Sequence, residues 1–285
     1  MAISLTHQSD NGADSPGTTH DLTHTVGSGS NRLLLVLIGF EQDSNQYVTG
    51  VKWDNAGVAE ALTELSPAQG YSSEDDTASQ GFYIVNPTPG TSKTIRVTFN
   101  ASLSIEGVGV AAFSLEGVNT SAPIADTDGA ANAAASTLNV TLTGLAVGDF
   151  VAASANIEMN GTANTDWTGS TFTTNQVQNG YWQNQTVTAM YGTADSTSET
   201  VDIDFVTSDH MSMIAVAIAE LGITYHLAGV TKDNDGNALG SCKCFLCKDN
   251  GDSTCTYVDY QLSNASTGDY DFTSLGWAKI KVEKK

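Results

Sequence analysis

Basic residues are scarce in this 285-residue chain. Lys and Arg number 11 against 32 Asp and Glu, which gives a formal net charge of −21. Nucleic-acid binding requires a basic surface against the phosphate backbone, and docking on anionic lipid also depends on Lys and Arg. We therefore expect no nucleic-acid partner and no membrane partner. The high like charge favours solubility, because it keeps copies of the protein apart.

Long hydrophobic runs are also lacking. The most apolar stretch is Leu33–Phe40, with the sequence LLLVLIGF. A membrane-spanning helix needs about 20 apolar residues, whereas a run of this length is typical of a strand buried on both faces. Residues 1–31 contain no apolar run and no Lys or Arg, so they lack the features of a secretory signal peptide.

Proline is rare and helix patterns are few, while strand-forming residues are abundant. The chain has 5 Pro and 27 Gly, and it is rich in Thr and Val, whose branching at Cβ suits a pleated surface. Short alternating segments between turns indicate about ten to twelve strands, which predicts an antiparallel sandwich or barrel. The predicted strands are 19–26, 32–40, 48–53, 81–86, 94–99, 108–115, 137–142, 149–155, 186–191, 200–206 and 211–221.

Three segments depart from this strand pattern. Residues 1–30 have the composition of a polar arm with a single strand, and we expect this arm to become ordered on binding a partner. The stretch Val58–Leu65 is compatible with one short helix. Residues 160–180 are rich in Asn, Thr and Gly and indicate an exposed loop.

The composition changes near residue 223. Seven of the 11 Lys and Arg residues, and all 4 Cys, lie beyond residue 230. We therefore predict two domains, residues 1–222 and residues 223–285.

The larger predicted domain contains the strings "HTVGSGSNRLLLVLIGF", "VTGVKWDNAGVAEAL" and "GFYIVNPTPGTSKTIRVTFN", and it closes with "SDHMSMIAVAIAEL". Over roughly residues 20–221, this order of strands and turns resembles a β-sandwich module common in tailed-phage virion proteins and some bacterial surface proteins. The resemblance implies a jelly-roll-like antiparallel β-sandwich.

The smaller predicted domain contains "HLAGVTKDNDGNALGS" and later "STGDYDFTSLGWAKIKV". It is similar to the small immunoglobulin-like domains of carboxypeptidase-regulatory type. The resemblance implies a small immunoglobulin-like β-sandwich. The positions that match the family pattern are Asp233, Gly236, Leu239, Gly268, Tyr270 and Phe272.

The four cysteines are close together in the smaller domain, at Cys242, Cys244, Cys247 and Cys255. A zinc site of four thiolates is one possibility, although the spacing is not that of paired C-x-x-C knuckles. A hairpin would bring Cys247 and Cys255 near enough for a disulfide. Reduced thiols, this disulfide and a metal site remain open alternatives, and we predict no cofactor.

Exposed aromatic rings are the main candidates for a glycan-binding site. Trp167, Tyr181 and Trp182 lie in or beside the predicted loop, where aromatic rings with polar neighbours could stack on a sugar. The alternative is that these rings are buried and anchor the loop to the sandwich, since large aromatic side chains bury well.

No catalytic residue is predicted. None of the 5 histidines lies in a recognised catalytic motif. His210 beside Asp209 is either an acid–base pair or a surface histidine at the start of a strand, and the second interpretation is favoured. The remaining acidic groups fit solvated faces and turns better than Ca²⁺ sites. These groups are Asp126 with Asp128, Asp202 with Asp204, Glu74–Asp76 and the DNDGN turn at 233–237.

We therefore expect a non-enzymatic structural protein of a tailed-phage virion, which decorates the head surface or forms part of the tail surface. Its partners would be major capsid or tail proteins and further copies of itself. Such a protein is assembled in the host cytoplasm and released by lysis, so it needs no signal peptide. The alternative is a carbohydrate-binding or adhesin module that attaches to host or environmental glycans. A hydrolase is a third hypothesis, for which no motif was found.

Overall fold

The fold was analysed in a computed structural model. The residues that it describes are 2–14, 17–41, 46–65, 77–101, 107–158, 167–182, 185–221, 227–230, 235, 237, 243–249, 255–262, 269–272 and 279–283. Contacts between Cα atoms divide the chain into two units, Met1–Leu221 and Gly222–Lys285. The division falls one residue before the predicted domain boundary.

The described elements are strands, and their pairing is antiparallel, which confirms the expected all-β sandwich class. None of the described residues forms an apolar helix of membrane-spanning length. The strands of the first unit are β1 (Ser4–Asp14), β2 (Thr19–Val26), β3 (Leu33–Glu41), β4 (Val48–Trp53), β5 (Glu60–Ala61), β6 (Thr63–Glu64), β7 (Thr77–Val85), β8 (Gly90–Phe99), β9 (Val108–Glu116), β10 (Ile124–Thr143), β11 (Phe150–Glu158), β12 (Thr174–Trp182), β13 (Gln185–Thr193) and β14 (Ser198–Ile218).

These strands form three sheets. The outer sheet has the order β2-β8-β4-β5, the central sheet β1-β9-β3-β7-β6, and the hairpin sheet β10-β14-β11-β13-β12. The central sheet packs on the outer sheet through one face and on the hairpin sheet through the other. The first unit is therefore a sandwich extended to a stack of three sheets.

Strand β3 lies in the middle of the stack and is buried over its whole length. Leu34, Val36 and Ile38 belong to the core shared with the outer sheet. Leu33 and Leu35 belong to the core shared with the hairpin sheet. The prediction of a strand buried on both faces is confirmed, because successive side chains of a strand point to opposite faces and both sets are covered here.

The hairpin formed by β10 and β14 bends back over its own sheet. The backbone N–H of Thr143 donates to Oδ2 of Asp126 at 2.6 Å, although the two residues are 17 positions apart on one strand. A straight strand of that length would span about 56 Å. The bend coincides with a jump in register, from Ala135 opposite Asp209 to Thr137 opposite Asp204. The predicted strands 200–206 and 211–221 are therefore one bent strand.

The bent-back part of the hairpin covers the second face of the hairpin sheet. Together they enclose a further apolar core, so β11 and β13 are buried on both faces as β3 is. The core side chains that come from the bent-back part are Leu138, Val140, Leu142, Val201, Ile203 and Phe205.

The predicted short helix at Val58–Leu65 is wrong. Ala59 has a φ of 54°, a left-handed conformation that a right-handed helix cannot contain. The segment instead supplies two short strands, in which Glu60 lies opposite Trp53 and Glu64 lies opposite Phe82. Pairing with strands from elsewhere in the chain overrode the local helix preference.

The predicted polar arm at 1–30 contains two strands. The strand β1 was missed, and it pairs along β9 at the edge of the central sheet. An edge strand of this kind is held by backbone hydrogen bonds, so it can be built largely from polar residues. Ile3 and Leu5 are half-buried against the core between the central and hairpin sheets. The arm is ordered within the chain itself, which removes the basis for expecting it to fold on a partner.

The second unit contains five described strands in two sheets. One sheet pairs β15 with β18, and the other has the order β17-β16-β19. The strands are β15 (Leu227–Val230), β16 (Lys243–Asp249), β17 (Cys255–Leu262), β18 (Asp269–Phe272) and β19 (Lys279–Glu283). Tyr270 and Phe272 lie in β18, opposite Gly229 and Leu227, and the other matched positions of the immunoglobulin-like pattern lie outside the described residues.

We expect Gly39→Ala to lower the free energy of unfolding by about 1–3 kcal/mol, as overpacking of a core does. Gly39 is on the strand buried on both faces, and a Cβ there would lie 2.8 Å from Cγ1 of Val187 and 3.2 Å from Cβ of Asn156. Urea unfolding measures the effect. The matched control is Gly50→Ala, since a Cβ at Gly50 meets nothing within 4 Å. Equal midpoints for the two variants would contradict the close approach of the sheets.

Candidate functional site

Trp167 is buried and does not form an exposed platform for a sugar. Its side chain is 3% exposed, and its indole Nε1–H donates to Oγ1 of Thr188 in the hairpin sheet at 3.2 Å. The ring therefore anchors this segment to the core, which is the alternative weighed for these aromatics. Tyr181 and Trp182 lie in β12, and their side chains are outside the described part of the structure. A glycan site at these two residues stays a prediction.

The cysteines are placed through the backbone of the second unit. Cys242 lies outside the described residues, whereas Cys244 and Cys247 are in β16 and Cys255 is in β17. Cys247 lies opposite Tyr257, and Cys255 lies opposite Asp249. Cys247 and Cys255 are thus two positions out of register rather than a direct cross-strand pair. The reduced, disulfide and zinc states remain predictions.

The acidic pairs noted in the sequence make hydrogen bonds within the fold. Asp126 accepts from the backbone N–H groups of Thr127 and Thr143, and Oδ1 of Asp204 accepts from the hydroxyl of Thr137. Burial, followed by the neighbouring charge of Asp204, raises the pKa of Asp202. Glu74–Asp76 lies outside the described residues, as does most of the turn at 233–237. Of these carboxylates, Asp126 joins the two parts of the bent strand β10.

Three edge strands lie at one side of the stack, and we call this side the edge face. In the described part of the chain, β2, β1 and β12 each end their sheet and each pair with one neighbour. β1 joins β2 through a hydrogen bond between Oγ of Ser9 and Nδ1 of His24, and it packs against β12 on its other side. Three strand edges that do not take part in the described sheet pairing therefore lie side by side.

The edge face is polar and carries few charges. Its three strands contain no Lys or Arg. Asp10 and Asp21 are exposed there, and Asp21 is paired with Arg96 of β8, whose guanidinium lowers the pKa of that carboxyl by hydrogen bonding. β1 and β12 each contain an extra residue at a register shift, and the shift between β2 and β8 puts its extra residue in β8, so regular pairing along the three edge strands is interrupted. An added strand would pair over a few residues at a time.

Behind the edge face is a buried histidine that sequence reasoning missed. His24 is 1% exposed, and its Nε2 is 2.8 Å from Oγ of Ser114. The Ser114 hydroxyl donates to the carbonyl of Thr25, so its oxygen accepts from the Nε2–H of His24, and Nδ1 accepts from Ser9. Because the pKa of His24 lies far below 7, the ring is neutral at pH 7, and this leaves Nδ1 as the acceptor of the Ser9 hydroxyl. Burial, and then the charge of His7, lowers the pKa of His24 to about 3.

The sequence does contain a signal for this burial. Within β2 the side chains alternate strictly, and His20, Leu22, His24 and Val26 share the buried face. His24 lies in the segment that the sequence predicted to be a polar arm. The hydroxyls that satisfy it come from β1 and β9, which only the fold brings together.

A second polar cluster lies where β14 bends. Nδ1 of His210 is 3.1 Å from Oε2 of Glu158 and 3.6 Å from Oδ1 of Asp209. All three side chains are half-buried. A surface histidine was the favoured interpretation of the sequence, whereas His210 is half-buried beside Asp209 and a further carboxylate, Glu158 from β11. This residue could not be found by spacing, since it is 52 positions away.

Comparisons with known proteins found no matching family model and no matching curated protein. Among solved structures, the chain is 10% identical to dimeric latent PorU from Porphyromonas gingivalis, with a TM-score of 0.21 and coverage of 96% of this chain and 33% of that chain. It is 10% identical to the pilus backbone RrgB from Streptococcus pneumoniae, with a TM-score of 0.19 and coverage of 96% and 84%. The chain spans about a third of PorU. Similarity at this level carries no argument about fold or function.

We expect acidification to destabilise the protein through His24. The pKa of His24 is about 3 in the folded protein, below its ordinary value of 6.5. Neutral His24 therefore contributes its full share to the free energy of unfolding above pH 6.5. This share is lost as the pH falls toward 3. Linkage gives a loss of about 2 kcal/mol between pH 7 and pH 5. Urea unfolding at both values measures this loss. His24→Gln keeps a donor and an acceptor without titrating, and it should remove most of the loss.

The control for the histidine variant is His7→Gln, which changes an exposed imidazole on the neighbouring strand. This variant should keep most of the pH dependence, because burial is the larger cause of the lowered pKa of His24. An unchanged loss in His24→Gln would show that other groups control the acid sensitivity.

Proposed function

We propose that this protein is a non-enzymatic structural component of a tailed-phage particle, which binds neighbouring virion proteins along its edge face. The observation that carries the proposal is the alignment of three open strand edges on one side of the stack. Open edges accept a further strand through backbone hydrogen bonds, and this mode of binding joins many structural subunits. The setting in a phage particle rests on the strand and turn pattern of residues 20–221.

The distribution of charge supports binding at this side. The chain has a net charge of −21, so most of its surface repels other acidic surfaces. The edge face exposes Thr, Gln and Asn side chains together with a few carboxylates, and the Asp21 carboxylate is neutralised by Arg96. Repulsion at the edge face is therefore limited to a few carboxylates. A copy of the same chain, or a capsid or tail protein, could approach there without a large electrostatic penalty.

The rigidity of the stack also supports a structural role. The central sheet is buried on both faces, and the hairpin sheet is covered by its own bent hairpin. Binding at an edge leaves these cores undisturbed. A module of this kind transmits load between its neighbours without a conformational change.

The proposal is tested first by mass spectrometry of particles purified on a density gradient from the source culture. We expect the protein to co-purify with capsid and tail proteins. A copy number in the hundreds would assign it to the head surface, and a handful of copies would assign it to the tail. Absence of the protein from intact particles would overturn the virion assignment.

The edge face is tested with Asn175→Lys, which places a charge on the exposed side of β12. We expect the variant to bind about tenfold more weakly to particles that lack this protein, or to self-associate about tenfold more weakly. A tenfold change is equivalent to ~1.4 kcal/mol of binding free energy. A lysine on an edge strand opposes the approach of another strand. Sedimentation with the particles, or analytical ultracentrifugation, measures the change.

The matched control is Asn139→Lys, on the strand β10 at the opposite end of the hairpin sheet. Asn139 is also exposed and lies in the bent-back part of the hairpin, so the same residue change is made on a strand outside the edge face. Binding should be unaffected. Equal weakening in both variants, or weakening only in Asn139→Lys, would contradict the assignment of the edge face.

A further inference from the structure

The polar cluster at the bend of β14 belongs to a row of side chains on three adjacent strands. Ile157 lies opposite Met211, so the next pair in register is Glu158 with His210. On its other side, Glu158 lies opposite Gln185 of β13. Asp209 precedes His210 at the register jump of the hairpin. Cross-strand neighbours have their Cβ atoms about 4.5–5.5 Å apart, so the four side chains share one small region, which we call the corner site.

Gln185 supplies an independent indication that the corner site binds a ligand. It is fully buried, and its Nε2 donates to Oδ1 of Asn156 at 2.7 Å, while its Oε1 has no hydrogen-bond partner among the described residues. Asn156 is itself fixed, because its Nδ2 donates to the carbonyl of Phe40 at 2.6 Å. The Gln185 amide nitrogen is therefore used by Asn156, which lies two residues before Glu158 on β11. The register places Gln185 directly opposite Glu158, with both side chains on the same face of the hairpin sheet.

The spacing of the other atoms fits a single cation. One ligand atom each from Glu158, Asp209 and His210 can be chosen so that all lie within 4.8 Å of one another. Ligands about 2.2 Å from one octahedral cation are separated by about 3.1 Å when adjacent and 4.4 Å when opposite. Half-burial leaves the site accessible from solvent. The carboxylates also make the site electrostatically favourable for a positive ion.

We propose that Glu158, Asp209 and His210, together with the amide oxygen of Gln185, bind a divalent cation of the Mn²⁺ class. Three oxygen donors favour a hard cation, and the imidazole favours Mn²⁺ over Ca²⁺ and Mg²⁺. The ion joins β11, β13 and β14 at the place where the hairpin leaves its sheet. It therefore stabilises the bent hairpin.

The test is a titration of the full-length protein with Mn²⁺ alone, followed by the EPR signal of the free aqueous ion. Mn²⁺ is chosen because the thiolates of the second unit prefer softer metals. We expect one bound ion per chain and a rise in the melting temperature. No binding up to millimolar Mn²⁺ would overturn the proposal.

Two variants assign the binding to the corner site. Glu158→Gln keeps the shape of the side chain and removes its charge, and His210→Ala removes the imidazole. Each should weaken Mn²⁺ binding at least tenfold and abolish the rise in melting temperature. The matched controls Glu64→Gln and His7→Ala change exposed residues on other sheets and should leave binding unchanged.

Circular dichroism of the metal-free variants establishes that they are folded. If His210→Ala does not fold, Glu158→Gln alone decides the assignment, because it changes only a half-buried carboxylate. Binding of undiminished affinity in folded Glu158→Gln would place the ion elsewhere and overturn the proposal. The outcome is independent of the proposed virion role, which the particle measurements test.

Discussion

The burial of the central sheet on both faces is the constraint on which the rest of the first unit depends. A sheet with two apolar faces must be covered twice, because exposing either face would forfeit the hydrophobic stabilisation of an entire core. The outer sheet covers one face and the hairpin sheet covers the other. The hairpin sheet then has the same requirement, which its own bent hairpin meets. The layered form of the molecule follows from this succession of covered faces.

The space between the central and hairpin sheets changes from apolar to polar toward one end. Phe113 and Phe150 meet edge to face at the apolar end. At the other end, the hydroxyls of Ser79 and Ser212 are hydrogen-bonded across the sheets, and Asn156 reaches a carbonyl of β3. Apolar packing alone tolerates sliding, whereas directed hydrogen bonds fix one register. This polar end continues outward into the corner site, so the alignment of the sheets and the geometry of that site have a common origin.

The proposed function follows from what the stacking leaves open. Because the apolar faces of the sheets are covered by one another, the apolar surface lies inside. The exposed surface is polar and acidic, with strand edges at its sides. The three edges are adjacent because β1, the edge of the central sheet, contacts both β2 and β12. Register shifts along all three strands, with the extra residue in β1, in β12 and in the β8 partner of β2, keep these edges from forming long continuous ladders. Such a surface suits specific, limited pairing with a neighbour better than open-ended aggregation.

The sequence by itself determined the all-β class, the doubly buried strand at Leu33–Phe40 and the position of most strands, because alternation and apolar runs report burial directly. It did not determine β1, whose polar residues are held by pairing with β9, or the absence of a helix near Ala59. The burial of His24 and Trp167 was also decided by the fold, since the hydroxyls that satisfy them come from distant strands. Strand edges, bends and the corner site depend on residues far apart in the chain. These contacts form only when the sheets stack, and a local sequence pattern does not specify which distant residues will then meet.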